Sequence, residues 1–70
     1  MKLGIYQHYK GSHYRVHGLV RHSETLEMLV HYECLYENPS GQFWVRPLSM
    51  FAETVHHEGK TLPRFAWVGE

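Results

Sequence analysis

Polar and apolar residues alternate along the segment from Tyr14 to His22. The even positions carry Tyr14, Val16, Gly18 and Val20, whereas the odd positions are mostly His and Arg, with Leu19 as the apolar exception. A period of two is typical of a strand with one buried face. A glycine inside such a strand indicates a bulge or a close backbone approach.

The following segment, residues 22–37, fits two patterns. As a strand it places an apolar or aromatic residue at every even position from Leu26 to Tyr36. As a helix it offers Ser23 as an N-cap and a stripe that includes Met28 and Tyr32, but Val30 falls off that stripe. Periodicity alone therefore leaves both structures open.

Pairing with the preceding strand favours the strand. In one antiparallel register Arg21 faces Glu27 and Arg15 faces Glu33, and apolar residues also meet across the pair. Cross-strand pairs of this kind each contribute a few tenths to about 1 kcal/mol, so the register that forms them together is preferred. We therefore predict an antiparallel hairpin over residues 13–37. Each of the following residues lies on the face of its alternating strand that we assign to the interior, which predicts one core containing Val16, Met28, Val30 and Phe43.

Shorter elements are predicted in the rest of the chain. Glu58-Gly59 is a hairpin turn signal between two short strands, and Pro47 ends regular pairing before a single helical or 3₁₀ turn. The predicted strands are Leu3–Tyr9, Gln42–Arg46, Thr54–His57, Lys60–Leu62 and Phe65–Val68, and the helical turn is Leu48–Phe51. Five or six short antiparallel strands with one helical turn predict a single all-β domain over residues 1–70, built as a small SH3-like barrel.

Composition narrows the class of protein. The 70 residues include seven His, five Tyr, three Phe and two Trp, and the formal net charge is zero with His neutral. A balanced charge argues against an electrostatic nucleic-acid binder, which normally has a basic field. The one cysteine, Cys34, forms no disulfide within the chain. With no signal-peptide pattern and no apolar run of membrane-spanning length, we expect a cytoplasmic protein that does not engage a membrane.

Aromatic residues beside an arginine are the strongest candidates for a binding site. Trp44 and Arg46 share one face of their predicted strand, and Phe43 and Val45 on the other face are the better core candidates. Exposed aromatics with an arginine can stack a base, a sugar, a peptide or a methylated amine. The wider candidate set is Tyr6, His8, Tyr32, Tyr36, Trp44 and Arg46. The competing interpretation is that Trp44 caps the open end of the barrel.

The turn His22-Ser23-Glu24 contains the residue types of a hydrolytic triad. Adjacent residues rarely converge as a triad does, and no nucleophile-elbow glycines flank Ser23. We therefore interpret the three residues as a polar turn or a ligand-binding loop, with no catalytic residues assigned. The histidines, with Glu33, match no zinc signature, so no metal site and no cofactor are predicted.

Three segments resemble a known family. They are Gly4–Gly11 (GIYQHYKG), Arg21–Thr25 (RHSET) and Trp44–Pro47 (WVRP). Together they resemble the small bacterial family catalogued as domain of unknown function 1653, over nearly the whole chain. The resemblance implies a bacterial, cytoplasmic, all-β protein and carries no activity.

These observations predict a non-enzymatic binding module for a small ligand, a peptide or a protein partner. Its candidate ligand-binding residues are Trp44, Arg46, His22, Ser23, Glu24, Tyr6 and His8. The alternative is a module associated with RNA, in which Trp44, Tyr6 and Arg46 stack on bases. A small hydrolase or metal-dependent enzyme at His22 and Glu24 has less support.

Overall fold

The computed structural model describes all of residues 1–70, which form seven strands and one helical turn. The strands are β1 (Gly4–His8), β2 (His13–Arg21), β3 (Met28–Cys34), β4 (Phe43–Pro47), β5 (Thr54–His57), β6 (Lys60–Pro63) and β7 (Phe65–Gly69). The helical turn α1 spans Leu48–Phe51. The mostly-β class and the helical turn predicted from the sequence are therefore confirmed. All seven strands overlap segments predicted as strands, although the predicted total was five or six.

The strands form two antiparallel sheets. Five of them pair in the order β4-β3-β2-β1-β7, and β5 pairs with β6 as a separate hairpin. Because β4 and β7 are both edges of the larger sheet, it does not close into a barrel. No helix in the structure is long and apolar enough to cross a membrane.

The β2–β3 hairpin follows the predicted register over only part of its length. Arg15 pairs with Glu33 as expected, but the register shifts between Val16 and Gly18, and Arg21 then pairs with Met28. One extra residue on β2 makes this a bulge, which the glycine had indicated. The predicted approach of Arg21 to Glu27 is therefore wrong: the Arg21 guanidinium donates to the Leu26 carbonyl at 2.8 Å instead.

The core lies on one face of the five-stranded sheet, which we call the inner face. Phe51 of α1 packs there against Phe65 of β7, with parallel rings 4.1 Å apart between centroids. The buried cluster consists of Tyr6, Val16, Val30, Tyr32, Phe51 and Phe65. Burial of Val16 and Val30 confirms two of the four predicted core residues, and Met28 is half-buried.

Phe43 is the clear error in the predicted core, because 60% of it is exposed. It pairs with Glu33, and Val45 pairs with His31, so both lie on the opposite, outer face. The inner-face residues of β4 are Trp44, opposite Tyr32, and Arg46, opposite Val30. The prediction grouped β4 residues correctly by face but assigned the wrong face to the core.

Candidate functional site

Arg46 lies on the inner face with its charge unpaired. The carbon of its guanidinium is 5.7 Å from the centroid of the Phe65 ring, within reach of a cation–π interaction. The residue is half-buried, and it makes no side-chain hydrogen bond or ion pair with any other residue. Its five N–H donors are therefore available to a bound acceptor.

Phe65 positions the neighbours of Arg46. The His8 ring meets it edge-on at 5.0 Å between centroids, and the Tyr14 ring does so at 5.5 Å. Phe65 itself is buried against Phe51. A rigid aromatic floor thus brings an imidazole, a phenol and a guanidinium from three different strands to one place.

His8 is a partly desolvated histidine in a positive environment. Burial lowers the pKa of its imidazole, and the charges of Arg64, Arg46 and Lys10 lower it further. Its Nδ1 accepts a hydrogen bond from the Lys10 amide at 3.1 Å, which leaves Nε2 for another partner. Three cations acting on one imidazole indicate a local positive field in a chain of zero net charge.

Arg64 differs from Arg46 because it has an acidic partner. Its Nε donates to Glu53 Oε1 at 2.8 Å, and its Nη2 lies 2.5 Å from the same oxygen. The backbone amide of Arg64 also donates to the Glu53 carbonyl at 3.0 Å. Arg64 is therefore held in place, whereas Arg46 is a cation beside His8 and Phe65 that a ligand can bind without breaking an existing bond.

Two tyrosines extend the surface away from Phe65. The hydroxyls of Tyr14 and Tyr36 are hydrogen-bonded at 3.1 Å, and their rings are 5.6 Å apart between centroids. This hydrogen bond raises the pKa of the Tyr36 hydroxyl well above its usual range, with smaller contributions from Cys34 and from burial. The Tyr36 phenol therefore stays neutral, and both hydroxyls serve as hydrogen-bonding groups.

Trp44 lies two residues before Arg46 on the inner face. Its indole Nε1 donates to the Gly41 carbonyl at 3.0 Å, and 37% of the residue is exposed. Because its N–H is already bonded, the contribution left for a ligand is the face of the ring. We use the name Arg46 surface for the Phe65 neighbours His8, Tyr14 and Arg46, together with Tyr36 beside Tyr14 and Trp44 on the same face of β4.

The other predicted site residues lie elsewhere. Tyr6 is 7% exposed, and its hydroxyl donates to the Lys2 carbonyl at 2.7 Å, so it belongs to the core. His22, Ser23 and Glu24 form the turn between β2 and β3, where His22 Nδ1 accepts the amides of Glu24 at 3.1 Å and Thr25 at 3.3 Å. The histidine thus organises the turn.

A second polar group occupies the outer face. His17 Nε2 lies 2.8 Å from Glu33 Oε1, and Gln42 donates to the other oxygen of that carboxylate at 3.1 Å. The His17 and His31 rings are 5.3 Å apart. No group of three or more His, Cys, Asp or Glu side chains is arranged to share a metal ion. Glu33 is thus bonded to His17 and Gln42, and no ion pair forms with Arg15.

The one concave pocket of the molecule is an open depression of about 320 Å³. It is lined by Leu3, Gly4, Arg15, Val16, His17 and Glu70. None of the predicted site residues lines it, and it contains no aromatic ring apart from an imidazole. The Arg46 surface is the better candidate because it combines an unpaired cation with oriented aromatic rings.

Sequence reasoning missed Phe65, Arg64 and the polar role of Tyr14. Phe65 and His8 become neighbours only because β7 returns to pair with β1, with His8 opposite Phe65. Because the two residues are far apart in the sequence, no local pattern predicts this contact. Tyr14 was placed on the face of its strand that also carries Val16 and Val20, and its ring does pack against the core.

Comparisons with known proteins agree on one family. The family model described as a protein of unknown function, DUF1653, matches residues 4–67. A crystal structure of a protein belonging to DUF1653 from Bordetella bronchiseptica is 42% identical, with a TM-score of 0.95 over 99% of this chain and 88% of that one. No curated protein matches the chain. The match over nearly the full length, together with the shared fold, shows that this chain belongs to the DUF1653 family.

Proposed function

We propose that this protein is a non-enzymatic binding module whose Arg46 surface holds an acidic group of a small ligand, a peptide or a protein partner. The observation that carries the proposal is the guanidinium of Arg46, half-buried over Phe65 and without an acceptor in the chain. Partly desolvated guanidinium groups gain most from a carboxylate or phosphate, which can accept two parallel N–H bonds.

The neighbouring charges support an anionic partner. Arg46, Arg64 and Lys10 all act on His8, and Glu53, the acid bonded to Arg64, already has its partner. The field is local, since Lys and Arg balance Asp and Glu over the whole chain. A single acidic group on a partner suits this surface better than a long polyanion.

Aromatic side chains supply the remaining contacts. Trp44 offers the face of its ring, and the Tyr14–Tyr36 pair offers hydroxyls that can donate or accept. Trp, Tyr and Arg are the residue types enriched at binding hot spots. The expected affinity therefore depends on a few residues around Phe65 and not on buried area alone.

An RNA-associated role is the weaker alternative. It relied on Tyr6, Trp44 and Arg46 as stacking residues, but Tyr6 is buried and bonded to the Lys2 carbonyl. Phosphate neutralisation supplies much of the affinity for nucleic acids, and zero net charge provides little of it. Catalysis at His22 has less support still, because Nδ1 of that residue accepts two turn amides.

Two further parts of the proposal come from the sequence alone. They are an SH3-like arrangement of the strands and a location in the bacterial cytoplasm. Fractionation of cells that produce the tagged chain tests the location.

Capture of partners from native lysate tests the proposed function. The tagged wild-type chain is compared with Arg46→Gln and with Arg15→Gln, which removes a cation from the outer face. We expect components that co-purify with the wild type and with Arg15→Gln to be lost from Arg46→Gln, at unchanged melting temperature. The same components on all three proteins would contradict the proposal.

A further inference from the structure

Strand β4 leaves part of its main chain without a partner. It is an edge of the five-stranded sheet and pairs only with β3. The Cys34 amide donates to the Gln42 carbonyl at 2.8 Å, which fixes the alternation of bonded and non-bonded pairs along the ladder. Trp44 and Arg46 are then bonded to β3, whereas the amides and carbonyls of Phe43 and Val45 point away from the sheet.

The side chains of β4 present different chemistry on its two faces. On the outer face Phe43 is 60% exposed and Val45 is 53% exposed. On the inner face are Trp44 and the unpaired Arg46. A strand added beside β4 would place alternate side chains against these two faces.

We propose that an extended peptide segment adds to the β4 edge as an antiparallel or parallel strand, with acidic residues beside Arg46 and apolar residues against Phe43 and Val45. The inference rests on the proposed function and specifies its partner as a peptide. Main-chain bonds to Phe43 and Val45 supply affinity, and the alternation of acidic and apolar side chains supplies specificity. Pro47 has no N–H, so the paired segment is short.

Charge complementarity favours such a peptide over a second copy of this chain. The segment Phe43–Pro47 contains no acidic residue. Pairing of two β4 strands would bring two Arg46 side chains towards one another without a carboxylate for either. An acidic peptide supplies the acceptor that the guanidinium lacks.

The opposite edge of the sheet is less suited to pairing. The β1–β7 ladder is irregular between Ile5 and Tyr6, and Val68 has no partner in β1. Gly69 adopts a φ of 144°, which is outside the range of an ordinary strand residue. Bulges and irregular ends of this kind protect an edge from further pairing.

An acetylated and amidated peptide of alternating valine and glutamate is the probe. Its affinity is measured by isothermal titration for the wild type, Arg46→Gln and Val45→Pro, which removes an outward N–H without removing a bond to β3. Thr61→Pro is the matched control, a proline at an exposed strand position whose N–H points away from the paired strand, as the bond from the Arg64 amide to the Glu53 carbonyl fixes. Two further peptides carry N-methylated amides either at the valines or at the glutamates. The amides that bond β4 belong to one of these two sets, so one of the two peptides should lose its main-chain bonds. These peptides test strand addition even if Val45→Pro does not fold.

We expect binding to the wild type and to Thr61→Pro. Affinity should fall by about tenfold or more for Val45→Pro and for one of the two N-methylated peptides, because each loses a main-chain hydrogen bond. Equal binding by both N-methylated peptides, or by Val45→Pro, would overturn strand addition and leave the Arg46 surface standing. If Arg46→Gln alone binds with unchanged affinity, the claim that acidic peptide residues bind Arg46 would be overturned, and the proposed function with it.

Two other results would overturn strand addition by a peptide. One is the absence of binding by the valine–glutamate peptide, in which case lysate capture still decides the proposed function. The other is self-association of the free chain in sedimentation experiments that Val45→Pro abolishes and Thr61→Pro does not. That result would assign the β4 edge to a second copy of the protein.

Discussion

The Arg46 guanidinium lies 5.7 Å from the ring centroid of Phe65, and no other residue of the chain pairs with its charge. The two residues come from opposite edges of the five-stranded sheet, β4 and β7. Both lie on the inner face, where α1 also packs. The sheet therefore curves enough to bring a cation from one edge over an aromatic ring from the other.

Truncation of two phenylalanines should differ sharply in its effect on stability. Phe51 is 2% exposed and stacks on Phe65, so Phe51→Ala should lower the free energy of unfolding by about 3–5 kcal/mol. Phe43 is 60% exposed, so Phe43→Ala should change it by no more than about 0.5 kcal/mol. Chemical denaturation measures both. Equal losses would mean that the face assigned to the core is wrong.

Two glycines should differ in their tolerance of alanine. A Cβ at Gly4 would lie 2.5 Å from the Gly69 carbonyl oxygen, and the residue has a φ of 125°. A Cβ at Gly18 would meet nothing within 4 Å. We expect Gly4→Ala to lower the melting temperature by several degrees, and Gly18→Ala to leave it unchanged or raise it, because alanine restricts the unfolded chain. A larger fall in melting temperature for Gly18→Ala than for Gly4→Ala would contradict the open space described around Gly18.

Replacement of His22 should loosen the β2–β3 turn. His22→Ala removes the Nδ1 acceptor of the Glu24 and Thr25 amides, and the lost bonds should cost about 0.5–1.5 kcal/mol. Hydrogen exchange of those two amides should become faster. His56→Ala is the control, since that exposed imidazole has no side-chain hydrogen bond. Unchanged exchange in His22→Ala would show that the turn does not depend on the histidine.

His8 should make stability depend on pH. Because its pKa is lower in the folded protein than the ordinary value of about 6.5, the unfolded chain binds more protons between the two values. Stability should therefore fall as the pH drops through that window from about 6.5 and then level off with respect to this group. His8→Gln should weaken the fall measured by denaturation between about pH 7 and pH 5. His56→Gln should retain it, and an equal fall in wild type and His8→Gln would contradict the assignment.

Local patterns in the sequence predicted where the strands and the helical turn lie better than they predicted which face of each strand is buried. Alternation in β2, the turn signal at Glu58-Gly59 and the stop at Pro47 each act over a few residues, and the strands and α1 lie close to where they indicated. Gly18 indicated the bulge after Val16, but the register shift that it introduces was not predicted. Phe43 was misplaced because apolar character alone was used to choose the core face of β4.

The candidate site was predicted only in part. Trp44 and Arg46 share a face as expected, and His8 joins them, but Tyr6 is buried and the His22 turn is separate. Phe65, which positions Arg46 and His8, is brought into place by pairing of the first and last strands. Contacts between the two ends of a chain leave no periodic trace in a single sequence, so the centre of the site emerged only from the fold.

The most direct measurement for the central claim follows the side-chain Nε–H resonances of the four arginines during an NMR titration with citrate. Sodium chloride at matched ionic strength is the control for screening. Arg46 lacks an acceptor in the chain, whereas Arg21 bonds the Leu26 carbonyl and Arg64 is paired with Glu53. Arg15 makes no side-chain bond either, but no aromatic ring packs against its guanidinium, so it is the control for an unpaired arginine outside the Arg46 surface. The Arg46 resonance should therefore shift first and saturate, while Arg15, Arg21 and Arg64 shift little. Equal shifts at all four arginines, or a larger shift at Arg15, would contradict the account of Arg46 as the anion-binding residue.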